Sequence, residues 1–363
     1  MTSHRQAVFT GTDRSITLSD VAVGPPPVGG LIARVSLAGV CGTDAHRLAG
    51  HVPSPPHAVA FGHEATGVIE ELGPGTTTDW AGTPVTAGDR ITWFPNASCY
   101  RCHACVVLQN NSLCTNKTWP ERAGTPSAAG FQEMATLHRN VLFFRIPDET
   151  SDDAVIAFGC GMPTAVTALA RAGRVAGTET VLVQGSGPVG LGATLLARHT
   201  AARRVILLGA PDDRLAWGRR LGADVTIDIT TTTPRQRRDL VRDLTDGRGA
   251  DVVIEAAGVV SAFTEGLDLL AAQGRYVIAG LYSGGSTIPF DPVMLNNRNL
   301  QLSGSLATTP RDKLEGILAI WRHEAEFDLA RFVSDRFPLA ETRTAIESMG
   351  QPGATKSVVV PGA

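Results

Sequence analysis

The chain has 363 residues, of which 43% are hydrophobic and 18% charged, and its formal net charge is -3. At about 100–200 residues per domain this length predicts two domains, and the apolar content excludes disorder as a description of the whole chain. So small a net charge gives no electrostatic ground for a nucleic acid or membrane partner, and the clusters Arg203–Arg204 and Arg235–Arg238 read as solvated faces.

Met1 to Thr12 holds no apolar run of the signal-peptide kind. The least polar stretch, Ala154 to Ala170, is interrupted by Gly159, Gly161 and Pro163 and is too short to span a bilayer, so a cytoplasmic protein is expected. Short strands follow from alternating or β-branched residues at Ala7–Thr10, Leu31–Leu37, Ala65–Leu72 and Arg90–Trp93, punctuated by Pro25–Pro27, Gly73–Gly75 and Gly88–Asp89. From about Asp152 the pattern changes to apolar runs alternating with helical stretches, as parallel βαβ units require. The predicted strands are Thr180–Gln184, Arg204–Leu208, Asp224–Ile227, Val252–Ala256 and Arg275–Ala279, with helices starting near Gly190, Asp212, Pro234 and Ser261. Beyond Asp291 a helix at Lys313–Trp321 and a last strand at Ser357–Val360 return to the texture of the first region.

Six cysteines are too few and too unevenly spaced for a disulfide scaffold. Cys99, Cys102 and Cys105 recur every third residue and Cys114 follows after eight more, which places four thiolates in one loop and predicts a closed, structural zinc. Cys41, beside Thr43, Asp44 and His46, together with His63-Glu64 and Cys160, would make a two-cysteine, one-histidine set with a position left open for substrate. Taken alone, such scattered residues are more often core fillers or surface side chains than ligands. Between a predicted strand and helix, Gly185-x-Gly187-Pro188-Val189-Gly190 has the dinucleotide-binding spacing. The next strand ends at Gly209 rather than in the acid that would bond an adenosine ribose, with Arg214 a few residues on. That leaves NAD(P), with a slight lean to NADP. A methyltransferase would want that acid and has no use for a Cys/His/Cys zinc; a silent zinc- and nucleotide-binding protein stays as the other alternative.

In this combination the chain resembles the zinc-containing medium-chain dehydrogenase/reductase family, of the alcohol dehydrogenase type. The motifs run in order over nearly the whole length: Cys41-Gly-Thr-Asp-x-His46, Gly62-His-Glu64, Gly88-Asp-Arg90, the thiolate loop, Gly130-Phe-x-Glu133, Phe158-Gly-Cys-Gly161, the glycine loop and Asp251-Val-Val-Ile-Glu255. The gap from Cys105 to Cys114 is one residue longer than the family pattern. The resemblance implies an α/β fold: a mostly-β GroES-like catalytic domain over 1–153, a doubly wound Rossmann NAD(P)-binding domain over 154–291, and a return to the catalytic domain over 292–363. It implies two zinc ions per chain, and assigns Cys41, His63 and Cys160 to the catalytic one, with Glu64 as an alternative ligand and Asp44 orienting His63. Thr43 becomes the hydroxyl that touches the alcohol oxygen, His46 the far end of a proton relay running through the cofactor ribose, and Lys356 a basic group near the cofactor pyrophosphate. The implied substrate is an alcohol or a carbonyl compound, in a homodimer or homotetramer. Trp93, Phe94, Trp119 and Phe131 are candidates for an apolar substrate wall or for plain core.

Overall fold

The structure, a computed structural model, describes residues 3–118, 122–282, 287–288, 290–306, 308–351 and 353–363. It divides into two compact units, Met1–Cys160 with Thr309–Ala363, and Gly161–Thr308.

In the first unit the strand Leu31–Gly39 is the hub. It pairs antiparallel with Ala65–Leu72, with Met134–Leu137 and with the C-terminal strand Lys356–Val360. The sheet continues through Arg90–Ala97 and Val141–Arg145 on one side and Val333–Pro338 on the other. Alternate residues of the hub, Leu31, Ala33 and Val35, face a core completed by Ile69, Ile91, Trp93, Leu137 and Phe143, the period of two that a half-buried strand imposes. A second sheet of three strands, Ser15–Ala22, Ser3–Thr10 and Val59–Ala60, lies beside it in the chain's early part. Ser15–Ala22 escapes sequence patterning because only Val21 along it is buried.

The second unit is a six-stranded sheet, parallel throughout, in the order Val225–Asp228, Arg204–Gly209, Thr180–Gln184, Ala250–Glu255, Leu270–Ile278, Gln301–Gly304. Counted along the chain this is 3-2-1-4-5-6, the doubly wound dinucleotide-binding order. The central strands are apolar without alternation (Val181, Leu182 and Val183; Val252, Val253 and Ile254) and fully buried, as a sheet covered on both faces requires. The helices Pro188–Arg198, Asp212–Arg220, Pro234–Asp243 and Val260–Leu269 begin at or within two residues of the predicted starts.

Two boundaries differ from expectation. The helix Asp152–Phe158 belongs to the first unit, so the division falls after Cys160 rather than after 153. The return to the first unit starts at Thr309 rather than 292, because Gln301–Gly304 extends the parallel sheet against Leu270–Ile278. That strand is short and polar, with no apolar run to announce it.

Candidate functional site

The helix Gly42–Leu48 starts from Cys41, whose backbone is extended there. Asp44, in its first turn, closes the cap: Oδ2 accepts the Cys41 N–H at 3.0 Å. The other oxygen, Oδ1, lies 3.5 Å from His63 Nδ1. One buried carboxylate therefore fixes both the cysteine and the imidazole, and engaging Nδ1 leaves His63 Nε2 as the free donor atom. Cys160 follows a turn at Gly159, where φ is +35°. Its Sγ stands 3.4 Å from Cys41 Sγ, and its N–H donates to Glu64 Oε1 at 3.0 Å. One ligand atom from each of Cys41, His63, Glu64 and Cys160 lies within 4.8 Å of all the others.

The electrostatics of this cluster follow from two thiols, an imidazole and a carboxylate crowded into a buried space. The hydrogen bond from Cys160, aided by His63 and opposed by burial, brings the Cys41 thiol down to about 5, while Cys160, facing that thiolate in a buried setting, is pushed well up. Burial would lower His63, yet Asp44 and the Cys41 thiolate together raise it well above its ordinary value. Binding of a divalent cation would displace these protons, so two thiolates and an imidazole suit zinc.

The loop cysteines form a second cluster. Sγ separations are 3.5 Å for Cys102–Cys105, 3.9 Å for Cys102–Cys114 and 3.5 Å for Cys99–Cys114. A zinc ion at its usual sulfur distance gives tetrahedron edges of about 3.8 Å. Backbone N–H groups point at the sulfurs and favour thiolate: those of Arg101 and Cys102 hold Cys99 near 6, and that of Cys105 lowers Cys102. Between Cys105 and Cys114 the chain passes through Gln109 in a left-handed conformation, φ +50°, and a tight turn at Asn111–Leu113.

In the second unit, Gly185 has φ +107°, which side chains rarely tolerate. A Cβ at Gly190 would overlap the Gly185 carbonyl oxygen, whereas a Cβ at Gly187 would meet nothing within 4 Å. Gly187 is the N-cap of the helix Pro188–Arg198 and offers no capping side chain, so the first-turn N–H groups are left for an external anion such as a pyrophosphate. At Gly209 a Cβ would stand 2.7 Å from Ser186 Oγ, which bonds the Ala210 carbonyl at 2.7 Å. Any side chain at this position would crowd Ser186. Arg214 is half-buried, and burial lowers its pKa.

Comparison with known proteins agrees with this arrangement. Residues 28–148 match the family model for the alcohol dehydrogenase GroES-like domain and residues 188–321 that for zinc-binding dehydrogenases. The 5-exo-hydroxycamphor dehydrogenase of Pseudomonas putida is 38% identical over 355 residues, 98% of each chain. The chain belongs to the zinc-containing medium-chain dehydrogenase/reductase family. Among solved structures, an alcohol dehydrogenase from Thermotoga maritima superposes with a TM-score of 0.90 at 26% identity, covering 99% of this chain and 100% of that one. A zinc-binding dehydrogenase from Sinorhizobium meliloti, bound to NADP, does so with a TM-score of 0.84 at 28% identity over 99% and 100%. The protein is a zinc-dependent, NAD(P)-linked alcohol dehydrogenase.

Within this dehydrogenase, Thr43 and His46 lie three residues apart on the helix Gly42–Leu48, hence on one face. Thr43 Oγ1 is 3.9 Å from Cys41 Sγ. Lys356 departs from expectation. It is buried, with Nζ paired to Glu64 Oε2, so its charge is committed to the metal cluster rather than presented to a pyrophosphate. The aromatic wall also gives way to core packing. Trp93 is 2% exposed and donates to the Ala128 carbonyl, Phe94 packs with Phe144 and Ile317, and Phe131 packs on Phe61; Trp119 lies outside the described residues. Sequence reasoning missed Lys313, a buried lysine that feels the charges of Glu64 and Cys160. A single lysine in an amphipathic helix carries no signal of such a role.

Proposed function

We propose that this enzyme interconverts a secondary alcohol on an apolar carbocyclic skeleton and the corresponding ketone, with Cys41, His63 and Cys160 holding the catalytic zinc. The observation that carries the reading is the single carboxylate of Asp44 tying the Cys41 backbone and the His63 ring together at the cluster. Near-complete alignment with a hydroxycamphor dehydrogenase supports the substrate class. When bound, zinc supplies Lewis-acid polarisation of the substrate oxygen and the nicotinamide supplies the hydride acceptor. The chain does the rest. Asp44 holds the His63 tautomer, Thr43 takes the hydroxyl proton, and His46, on the same face one turn on, passes it outward. Cys99, Cys102, Cys105 and Cys114 hold a second, structural zinc.

Gly185, Gly187, Pro188, Val189 and Gly190 would cradle the pyrophosphate. The missing acid at Gly209, with Arg214 nearby in sequence, favours NADP over NAD, and the NADP-bound relative supports the same lean. A homodimer or homotetramer working in the cytoplasm completes the proposal; among the described residues no single helix is long and apolar enough to cross a membrane. The test is metal analysis followed by turnover of 5-exo-hydroxycamphor and a panel of cyclic alcohols with each coenzyme. Two zinc ions per chain, faster turnover with NADP, and loss of both one zinc and activity in Cys41→Ser are expected. A Cys41→Ser enzyme that keeps two zinc ions would refute the ligand set.

A further inference from the structure

The helix that carries Thr43 and His46 ends in a way that brings a second imidazole onto the first. Its C-cap is Ala49, and Gly50 follows with φ +80°. The Gly50 N–H donates to the Arg47 carbonyl at 3.0 Å, and the His51 N–H to the His46 carbonyl at 2.8 Å. These two bonds define the Schellman motif, in which the side chain just past the glycine folds onto the side chain of the last helical turn, a contact that is ordinarily apolar. Here both partners are histidines. His46 Nδ1 and His51 Nδ1 are 3.4 Å apart and the ring centroids 5.7 Å apart. His46 is half-buried and His51 exposed.

We propose that His51 is the solvent-side station of the proton path that begins at Thr43 and His46. This deepens the function proposed above and rests on it. Two nitrogens facing each other across 3.4 Å share one hydrogen, so one ring carries its proton on Nδ1 and the other on Nε2. A proton arriving at His46 Nε2 releases the His46 Nδ1–H to His51 Nδ1, and the His51 Nε2–H leaves to water. One proton enters, one leaves, and each ring ends neutral in its other tautomer. The pair is then set for transfer in the opposite direction, and exchange with solvent resets it.

Arginines border this turn. Arg14 Nη1 donates to the Ala49 carbonyl at 2.9 Å, Arg343 bonds the Arg14 carbonyl and Glu347, and Arg47 is buried within the field of Asp44.

The experiment has two arms. In zinc-loaded enzyme labelled with [15N]histidine, NMR should find His46 and His51 in complementary tautomers, one Nδ1–H and one Nε2–H, and His51→Gln should alter the His46 signals. Both rings in the same neutral tautomer would overturn the proposal. In the second arm, proton release to an indicator dye is followed by stopped flow alongside NAD(P)H formation, using whichever alcohol of the panel is turned over. His51→Gln should keep its zinc and slow proton release by about tenfold near neutrality, with the rate recovered by raising the concentration of HEPES, a base too bulky to ligate the metal. A purely structural histidine would show no such buffer rescue. Unchanged release in His51→Gln, with slow release in His46→Gln, would overturn the role of His51 alone; unchanged release in both would overturn the Thr43–His46 path itself.

Discussion

Lys356 and Glu64, 292 residues apart in the chain, form an ion pair whose side chains are 3% and 2% exposed. The strand Lys356–Val360 delivers the ammonium to the back of the metal cluster. There Glu64 has both oxygens occupied, Oε2 by Lys356 and Oε1 by the Cys160 N–H. Burial alone would raise the carboxyl, but Lys356, His63 and the Cys160 hydrogen bond outweigh it and hold the group at about 2. Both Glu64 oxygens are thus engaged at the edge of the cluster in which Glu64 itself lies.

Removing the cation should therefore be costly. Lys356→Met leaves a buried carboxylate uncompensated and is expected to lower unfolding stability by about 3–5 kcal/mol, measured by urea denaturation of the zinc-loaded enzyme. The double variant Lys356→Met/Glu64→Gln should recover much of that loss. The pH dependence has a definite sign. Because the folded carboxyl titrates below its ordinary 4.5, its stabilisation is present above pH 4.5 and disappears as pH falls towards 2. Stability should then fall less steeply in Glu64→Gln than in the wild type across that interval.

Gly159 tests the niche from its other side. A Cβ there would overlap the Glu64 carboxylate, and φ is +35°. Gly159→Ala should push Glu64 from its ion pair towards the metal. Cobalt-substituted enzyme should show this as loss of intense tetrahedral d–d absorption in favour of a weaker, higher-coordinate spectrum. An unchanged cobalt spectrum would show that Glu64 has room to stay.

The loop zinc should be separable from the chemistry. Cys114→Ser removes the one buried thiolate of its cluster, and a closed tetrahedral site does not tolerate that loss. Zinc content should fall from two ions to one, and the chain should be cleaved sooner by protease within residues 99–118. The cobalt spectrum of the remaining site should match that of the wild type. If both ions persist, Cys114 is not a ligand.

What the sequence made legible follows from which constraints are local. Central parallel strands such as Thr180–Gln184 are apolar throughout because both faces are covered. The glycine loop is readable because its constraints lie largely within the loop: Gly185 needs a positive φ, and a Cβ at Gly190 would overlap the Gly185 carbonyl. The motif Gly88-Asp89-Arg90 turns out to be structural: Asp89 bonds Thr86 and Arg145, and Arg90 the carbonyls of Pro147, Asp148 and Thr150. Lys356 reads in sequence as a cofactor contact because its partner, Glu64, is brought to it by sheet pairing across nearly the whole chain, which leaves no trace in spacing. Trp93 and Phe94 look alike in sequence as wall or as core, and only strand orientation decides between them. The strand Gln301–Gly304 was missed because an edge strand with exposed residues has no apolar period to detect.

Coenzyme choice rests on a contact that sequence spacing alone could not reveal. Gly209 lacks the acid that selects NAD, and Ser186 fills the space such a side chain would need, with its Oγ both donating to the Ala210 carbonyl and accepting the Ala210 N–H at 3.2 Å. Gly209→Asp alone should thus disturb the loop and weaken both coenzymes. Ser186→Gly/Gly209→Asp opens the space and places a carboxylate where it bonds a ribose 2′-hydroxyl and repels a 2′-phosphate. The double variant should shift the kcat/KM ratio of NAD to NADP by about 10–100-fold towards NAD, a change of about 1.4–2.7 kcal/mol. Measuring kcat/KM for both coenzymes in the wild type, the two single variants and the double variant decides it. If Gly209→Asp alone gives the full shift with unimpaired binding of NAD, the steric role assigned to Ser186 is wrong.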